Sequence, residues 1–116
     1  MDINNFGRGA ATEGIKKWRD EGKKALGIVC CNVPFELLHA ADVFPVRLRA
    51  TGCKDCSIGE AHMGAQNCGF TKSILQRLCD GTYDLDGLVA SNSCTIASMV
   101  YSNWEMVSKK EGKKQF

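Results

Sequence analysis

Strand-type and helix-type segments alternate along the chain, and this alternation constrains the fold more than any other feature. Short apolar runs typical of buried strands occur at three places: Leu26–Cys31, Phe44–Leu48 and Leu85–Ala90. After each run, apolar residues recur at three- and four-residue steps, which predicts helices that begin near Phe35, Phe70 and Ile96. This order favours an α/β fold with a short parallel sheet over a helical bundle.

The segments outside this pattern define the expected domain organisation. Residues 9–25 predict an exposed, charge-rich helix whose apolar contacts are Ile15 and Trp18. Residues 51–67 carry three glycines and little periodicity, so we expect a long loop with at most one short turn. Gln115 and Phe116 have the character of a further strand, which predicts a domain that is incomplete at its carboxyl end. We therefore expect a helical extension at 1–25 and a partial α/β domain at 26–116.

Composition excludes several classes of partner. The 116 residues carry 15 basic and 13 acidic side chains, and a net charge of +2 gives no reason to expect nucleic acid or a membrane surface as a partner. No apolar run approaches the roughly 20 residues that cross a bilayer, and the first residues lack a signal-peptide core. We expect a cytoplasmic protein, whose thiols stay reduced. Its seven cysteines therefore need an explanation other than disulfide staples.

Two of the cysteines stand immediately before predicted helices. Cys94 follows the third strand and precedes the Ile96 helix, and Cys68 precedes the Phe70 helix. Ligands of open α/β sheets bind beyond the carboxyl ends of the strands, and a helix N-terminus stabilises a thiolate. The two thiols can thus converge on one metal centre. The alternative is that both are small buried hydrophobic residues.

A C-x-x-C motif, Cys53-Lys54-Asp55-Cys56, lies in the predicted loop. Such a pair can bind zinc, join an iron–sulfur cluster or form a redox disulfide. No second closely spaced pair follows, as a structural zinc site would require, and the motif does not open a helix directly after a strand. Exposed loop thiols without a function are the other interpretation.

The remaining candidates have simpler interpretations. Cys79 lies on the apolar face of its helix and is expected in the core, whereas alternation places Cys30 and Cys31 on opposite faces of the first strand. One of that pair would be in the core and the other near a strand-end site. His39 and His62 are single histidines, more typical of packing or surface positions than of ligands. Glu36 lies in the first turn of its helix, where the dipole stabilises a carboxylate in any case.

An ordered series of motifs resembles the 2-hydroxyacyl-CoA dehydratase and benzoyl-CoA reductase family. The series covers roughly residues 26–104 and comprises Val33-Pro34-Phe35-Glu36-Leu37-Leu38-His39-Ala40-Ala41, Phe44-Pro45-Val46-Arg47-Leu48-Arg49, Asn67-Cys68-Gly69-Phe70, Asp84-Leu85-Asp86-Gly87-Leu88-Val89, Asn92-Ser93-Cys94 and Asn103-Trp104. The order of the motifs is far more specific than any one of them.

The resemblance implies a fold, a cofactor and partners. Members of the family have three-layer, Rossmann-like α/β domains, and each subunit holds an iron–sulfur cluster, usually [4Fe–4S], between its domains. A second iron–sulfur subunit and an ATP-dependent activator protein, which supplies a low-potential electron, are the expected protein partners. The expected substrate is an acyl-CoA thioester, which is dehydrated through a ketyl radical or, in the reductases, reduced at its aromatic ring.

By its motifs, the resemblance also assigns roles to residues. Cys68 and Cys94 match the two amino-terminal cluster cysteines, and Glu36 matches a glutamate close to the cluster in catalytic subunits, where it takes part in proton transfer or holds the leaving hydroxyl. Thr95 stands where many members have an acidic residue. Family chains are several-fold longer and draw a further cluster cysteine from a later domain, so this chain resembles a truncated member. The alternatives are a non-catalytic metal-binding or thiol-redox module built on Cys53 and Cys56, and an inactive fragment.

Overall fold

The computed structural model describes residues 8–30 and 32–112, with side chains from residue 12 onward. Within these residues the elements follow in the order α1 (Arg8–Asp20), β1 (Ala25–Val29), α2 (Phe35–Ala40), β2 (Phe44–Arg47), α3 (Ser57–His62), α4 (Gly69–Cys79), β3 (Gly87–Ala90) and α5 (Thr95–Lys110). The predicted alternation of strands and helices is confirmed.

The three strands form one parallel sheet in the order β2-β1-β3. Ala25 is paired with Phe44 on one side, and Leu26 with Gly87 on the other. The α/β fold with a short parallel sheet is therefore confirmed. Among the described strands β2 lies at an edge of the sheet, where Pro45 is tolerated because a residue without an N–H need not bond a further strand.

One face of the sheet meets the helices in the main core. Register and alternation place Ala25, Val29, Val46 and Leu88 on the same face, and all four belong to the core cluster. The helices contribute Ile15 from α1, Ile74, Leu75 and Leu78 from α4, and Ala97, Val100 and Trp104 from α5. Full burial of each large aliphatic side chain is worth about 1.5–3 kcal/mol. This face therefore fixes α4 and α5 against the sheet.

An Asp-x-Asp sequence, Asp84-Leu85-Asp86, joins the starts of β1 and β3. The Asp86 carboxylate accepts a hydrogen bond from the Ala25 N–H at 2.9 Å, and the Asp86 N–H donates to the Ala25 carbonyl at 2.9 Å. Arg19 forms ion pairs with Asp84 at 3.0 Å and Asp86 at 3.2 Å. The end of α1 and the first residues of two strands are thereby held in one polar cluster.

The first helix ends earlier than predicted. It stops at Asp20 rather than at residue 25, because Gly22 adopts a left-handed backbone (φ +78°) and the Lys23 N–H bonds back to the Trp18 carbonyl. The predicted apolar contacts are confirmed: Ile15 is buried, and the Trp18 ring stacks on Phe44 with 5.3 Å between centroids.

The prediction of a long loop at residues 51–67 was wrong in part, because α3 lies within it. The side-chain oxygen of buried Gln76 accepts hydrogen bonds from the N–H groups of Ile58 at 2.8 Å and Gly59 at 3.4 Å. A Cβ on Gly59 would lie 2.3 Å from the Lys72 carbonyl oxygen. A short helix thus forms because α4 supplies an acceptor and because Gly59 permits a close approach, and neither cause leaves a periodic pattern.

Predictions at the end of the first strand need correction. β1 ends at Val29, and Cys30 has a left-handed backbone (φ 70°), so strand alternation does not extend to it. Cys31 lies outside the described residues, as does the strand expected at 115–116. Cys79, which was expected in the core, is half-buried and packs against the core. Among the residues described, no helix has the length and apolar character needed to span a membrane.

Candidate functional site

Cys68 and Cys94 each occupy the N-cap position of a helix. Cys68 precedes α4 and Cys94 precedes α5, both have an extended backbone, and both side chains are exposed. The sequence-based prediction that each begins a helix is confirmed. Because both thiols are exposed, the interpretation of them as small buried hydrophobic residues is wrong for this chain.

The surroundings of Cys68 favour the ionised sulfur. The Thr71 hydroxyl lies 3.4 Å from the Cys68 Sγ and donates a hydrogen bond to the Cys68 carbonyl at 2.8 Å. When the thiol ionises, this hydroxyl can rotate to donate to the sulfur. The Thr71 hydroxyl, followed by the backbone N–H groups of Thr71 and Phe70, lowers the pKa of the Cys68 thiol, and burial opposes this only in part. Cys68 therefore offers a thiolate more readily than an ordinary cysteine.

Cys94 lies in a short polar turn that follows β3. The Ser98 hydroxyl contacts the Asn92 side-chain oxygen at 3.3 Å and the Cys94 carbonyl at 3.4 Å. The hydroxyls of Ser91 and Ser93 are 2.8 Å apart. These contacts order the segment that carries Cys94 beyond the carboxyl end of its strand, where ligands of parallel sheets bind.

The helices that Cys68 and Cys94 precede pack against each other. Within the described part of the chain, no three His, Cys, Asp or Glu side chains lie close enough together to hold a metal ion. The two cysteines thus fit part of a thiolate ligand set, and further ligands would have to come from beyond these residues.

Glu36 lies in the first turn of α2 and lines a groove of about 420 Å³ between α2 and β2. The other lining residues are Phe35, His39, Ala40 and Pro45. The His39 ring also meets Trp18 edge-on, with 5.9 Å between centroids, so it has the packing role predicted for a single histidine. Cys68 and Cys94 are not among the residues that line this groove.

The C-x-x-C motif forms a compact pair against α4. The Sγ atoms of Cys53 and Cys56 are 3.6 Å apart, and the Cys56 Sγ lies 3.3 Å from the Ser73 hydroxyl. Burial, followed by the neighbouring Cys56, raises the pKa of the Cys53 thiol. Arg77 ties the preceding residues to α4 by donating to the Gly52 carbonyl at 3.0 Å. These thiols belong to a packed structure and not to an open loop.

The side chains that surround the cysteines were not predicted from the sequence. Thr71 had a readable signal, because a threonine hydroxyl in a helix can donate to the carbonyl three or four residues earlier, here that of Cys68. Ser73 and Arg77 had none, since their contacts span 17 and 25 residues. His62 ends α3 with an exposed side chain, in agreement with its predicted surface position.

Comparison with known proteins identifies relatives that match most of the chain. The sequence profile of the family described as 2-hydroxyglutaryl-CoA dehydratase, D-component, matches residues 30–111. The (R)-2-hydroxyglutaryl-CoA dehydratase subunit beta of Acidaminococcus fermentans is 28% identical over 96 residues, which are 82% of this chain and 25% of that protein.

Two further relatives are beta subunits of the same kind. The lactoyl-CoA dehydratase subunit beta of Anaerotignum propionicum is 27% identical over 77% of this chain and 24% of its own length. The (R)-phenyllactyl-CoA dehydratase beta subunit of Clostridium sporogenes is 27% identical over 79% and 25%, respectively. The chain thus spans about a quarter of the length of the relatives that it matches. Since the profile covers most of the sequence, the chain belongs to the 2-hydroxyglutaryl-CoA dehydratase D-component family.

Proposed function

We propose that this chain is the amino-terminal, cluster-binding part of a beta-type subunit of a 2-hydroxyacyl-CoA dehydratase, a lyase. Residues 26–116 form the binding domain and residues 1–25 its helical extension. Cys68 and Cys94 supply two thiolate ligands to a [4Fe–4S] cluster. The main support for this proposal is that two exposed cysteines occupy the N-cap positions of two helices that pack together.

The donor chemistry of the pair suits such a cluster. Iron–sulfur clusters are held by cysteine thiolates, and the unpaired N–H groups at a helix start can donate hydrogen bonds to sulfur. Two residues complete only half of the usual set of four, so the other ligands come from outside the described residues. Exposed Phe70 and Met99 lie near the two thiols in sequence, which suits a neighbouring domain that shields the cluster from water.

The groove at α2 is the candidate position for the acyl group. Phe35, Ala40 and Pro45 provide an apolar lining, and the exposed Glu36 places a carboxylate at its edge. In this role the Glu36 carboxylate accepts a hydrogen bond from the substrate hydroxyl and so holds it in place. Alternatively, a carboxylate oxygen of Glu36 takes up or releases a proton during the reaction.

The names of the relatives support a dehydration as the reaction of the whole enzyme. Their names specify dehydratases of 2-hydroxyglutaryl-, lactoyl- and phenyllactyl-CoA, which favours dehydration of a 2-hydroxyacyl-CoA thioester over the benzoyl-CoA type of reduction. The bound cluster would supply single-electron chemistry at the thioester, while the protein positions the substrate and tunes the cluster. A second iron–sulfur subunit and an ATP-dependent activator complete the proposed system, in the cytoplasm.

Anaerobic reconstitution tests the ligand assignment. The full chain is incubated with iron, sulfide and a small thiol that can fill the remaining iron positions, and bound iron and visible absorption are measured. We expect Cys68→Ser and Cys94→Ser each to lower both signals by about tenfold, since each removes a thiolate. Cys53→Ser and Cys56→Ser are the matched controls and should retain the signals. The assignment is wrong if the controls lose the absorption while the Cys68 and Cys94 variants keep it.

A further inference from the structure

The C-x-x-C pair is not used by the proposed cluster site, and its geometry points to chemistry of its own. Cys53 and Cys56 are both half-buried, and 3.6 Å separates their sulfur atoms. A disulfide requires about 2.05 Å between the sulfurs. The two sulfur atoms are therefore already in contact and would have to approach by about 1.5 Å to form the bond.

Three contacts with α4 hold the pair in this arrangement. Arg77 donates to the Gly52 carbonyl on one side of the pair, and Gln76 accepts from the Ile58 N–H on the other, at 3.0 and 2.8 Å. Between them the Ser73 hydroxyl lies 3.3 Å from the Cys56 sulfur. The segment is thus ordered before any reaction, so that bringing the two sulfurs together costs little additional conformational entropy.

The number of groups required differs between disulfide formation and metal binding. A structural zinc site takes four ligands, of which this motif supplies two. Two thiols alone are the full requirement of a disulfide. The 3.6 Å contact between the two sulfur atoms therefore favours the redox alternative for this motif.

We propose that Cys53 and Cys56 form a reversible intramolecular disulfide by exchange with a small-molecule disulfide. The Cys56 thiolate, with Ser73 as a hydrogen-bond donor, attacks one sulfur of the small disulfide and displaces one thiolate. Cys53 then loses its proton to solvent and attacks the Cys56 sulfur, which displaces the second thiolate. The protein loses two protons and two electrons and gains one S–S bond, and the small disulfide leaves as two thiols.

The roles of the two cysteines differ because their surroundings differ. Burial and the neighbouring Cys56 raise the pKa of the Cys53 thiol, which disfavours Cys53 as the first attacking thiolate. The Cys53 Sγ also lies 3.2 Å from the Asp55 carbonyl, an acceptor that favours the thiol. Cys56 is therefore the first nucleophile and Cys53 the resolving residue. This proposal does not depend on the cluster assignment.

Peptide mapping in glutathione redox buffers tests the proposal. The full chain is equilibrated with mixtures of reduced and oxidised glutathione, quenched with acid and alkylated with N-ethylmaleimide. Trypsin cuts after Lys54, so the disulfide would join peptide 50–54 to peptide 55–72. We expect the joined peptides to rise with the proportion of oxidised glutathione and to disappear in Cys56→Ser.

Two further variants complete the test. Peptide 55–72 also contains Cys68, so Cys68→Ser must leave the joined peptides unchanged if Cys56 is the partner. Ser73→Ala should slow formation of the disulfide by about three- to tenfold at neutral pH, because the donor to the Cys56 thiolate is lost. A link that requires Cys68, a pair that stays reduced in every mixture, or an unchanged rate in Ser73→Ala would each overturn the proposal.

Discussion

Cys68 and the Cys53–Cys56 pair contact the same helix, α4, in different surroundings. Cys68 lies exposed at the start of α4, where Thr71 and the first backbone N–H groups lower its thiol pKa. The Cys53–Cys56 pair packs against Ser73 farther along the helix, and burial raises the pKa of Cys53. The side chains around each sulfur, rather than residue type, therefore set the direction in which the pKa of Cys68 and that of Cys53 are shifted.

Among the substitutions that test this difference between the two sites, Gly59→Ala is expected to have the largest effect on stability. The added methyl group would lie 2.3 Å from the Lys72 carbonyl oxygen, so α3 must move away from α4. We expect the free energy of unfolding to fall by about 2–3 kcal/mol, as for other overpacked contacts. Urea denaturation measures this loss, and alkylation of Cys53 should become faster as its packing loosens.

Gly64→Ala is the matched control for that substitution. It lies in the same segment, and a Cβ there would meet nothing within 4 Å. Its effect on stability should stay within about 0.5 kcal/mol. Equal losses in the two variants would show that the close approach of α3 to α4 does not hold the C-x-x-C pair.

A smaller loss is expected from Gln76→Leu. This change leaves the N–H groups of Ile58 and Gly59 without the acceptor that begins α3, at a cost of about 1–3 kcal/mol. Gln66→Leu, at an exposed position before Cys68, is the control and should be nearly neutral. If thermal and urea unfolding do not distinguish the two leucine variants, α3 does not depend on Gln76.

The smallest expected change in stability comes from Thr71→Val, which alters mainly the reactivity of Cys68. It removes the hydroxyl beside the Cys68 sulfur and its 2.8 Å bond to the Cys68 carbonyl, at a cost of about 1 kcal/mol. We expect the pKa of Cys68 to rise, so that its iodoacetamide reaction requires a higher pH than in the unsubstituted chain.

The alkylation rate of Cys68 should reach its midpoint at a lower pH in the folded chain than in the unfolded chain. A lowered pKa means that the folded chain holds Cys68 as thiolate at pH values where the unfolded chain still binds the proton. The midpoint of the alkylation rate should therefore lie below that of Cys68 in urea, and Thr71→Ser should keep it there. A profile that is the same in folded, unfolded and valine-substituted protein would contradict the role of Thr71.

The features predictable from the sequence were those with local causes. The strand-and-helix alternation and the helix starts at Cys68 and Cys94 follow from the periodicity of the apolar residues. The existence of α3 could not be predicted in this way, because Gln76 and the bare Gly59 stabilise it from another helix.

The site was predictable to a similar extent. Cys68, Cys94 and Glu36 were identified from the sequence, but the role of each in binding or catalysis stays a prediction. The backbone of Cys30 could not be anticipated, since a left-handed cysteine leaves no pattern in an apolar run. The proximity of Ser73 to Cys56 likewise depends on tertiary packing, which brings together residues 17 positions apart.

The assignment of Cys68 and Cys94 as cluster ligands can be tested by measuring which cysteines a bound cluster protects from alkylation. The full chain is reconstituted anaerobically with iron, sulfide and a small thiol, alkylated, and mapped by mass spectrometry beside an untreated sample. We expect Cys68 and Cys94 to become protected from alkylation together, in proportion to bound iron, while the alkylation of Cys53 and Cys56 is unchanged. Protection of Cys53 and Cys56, with Cys68 and Cys94 still reactive, would contradict the assignment.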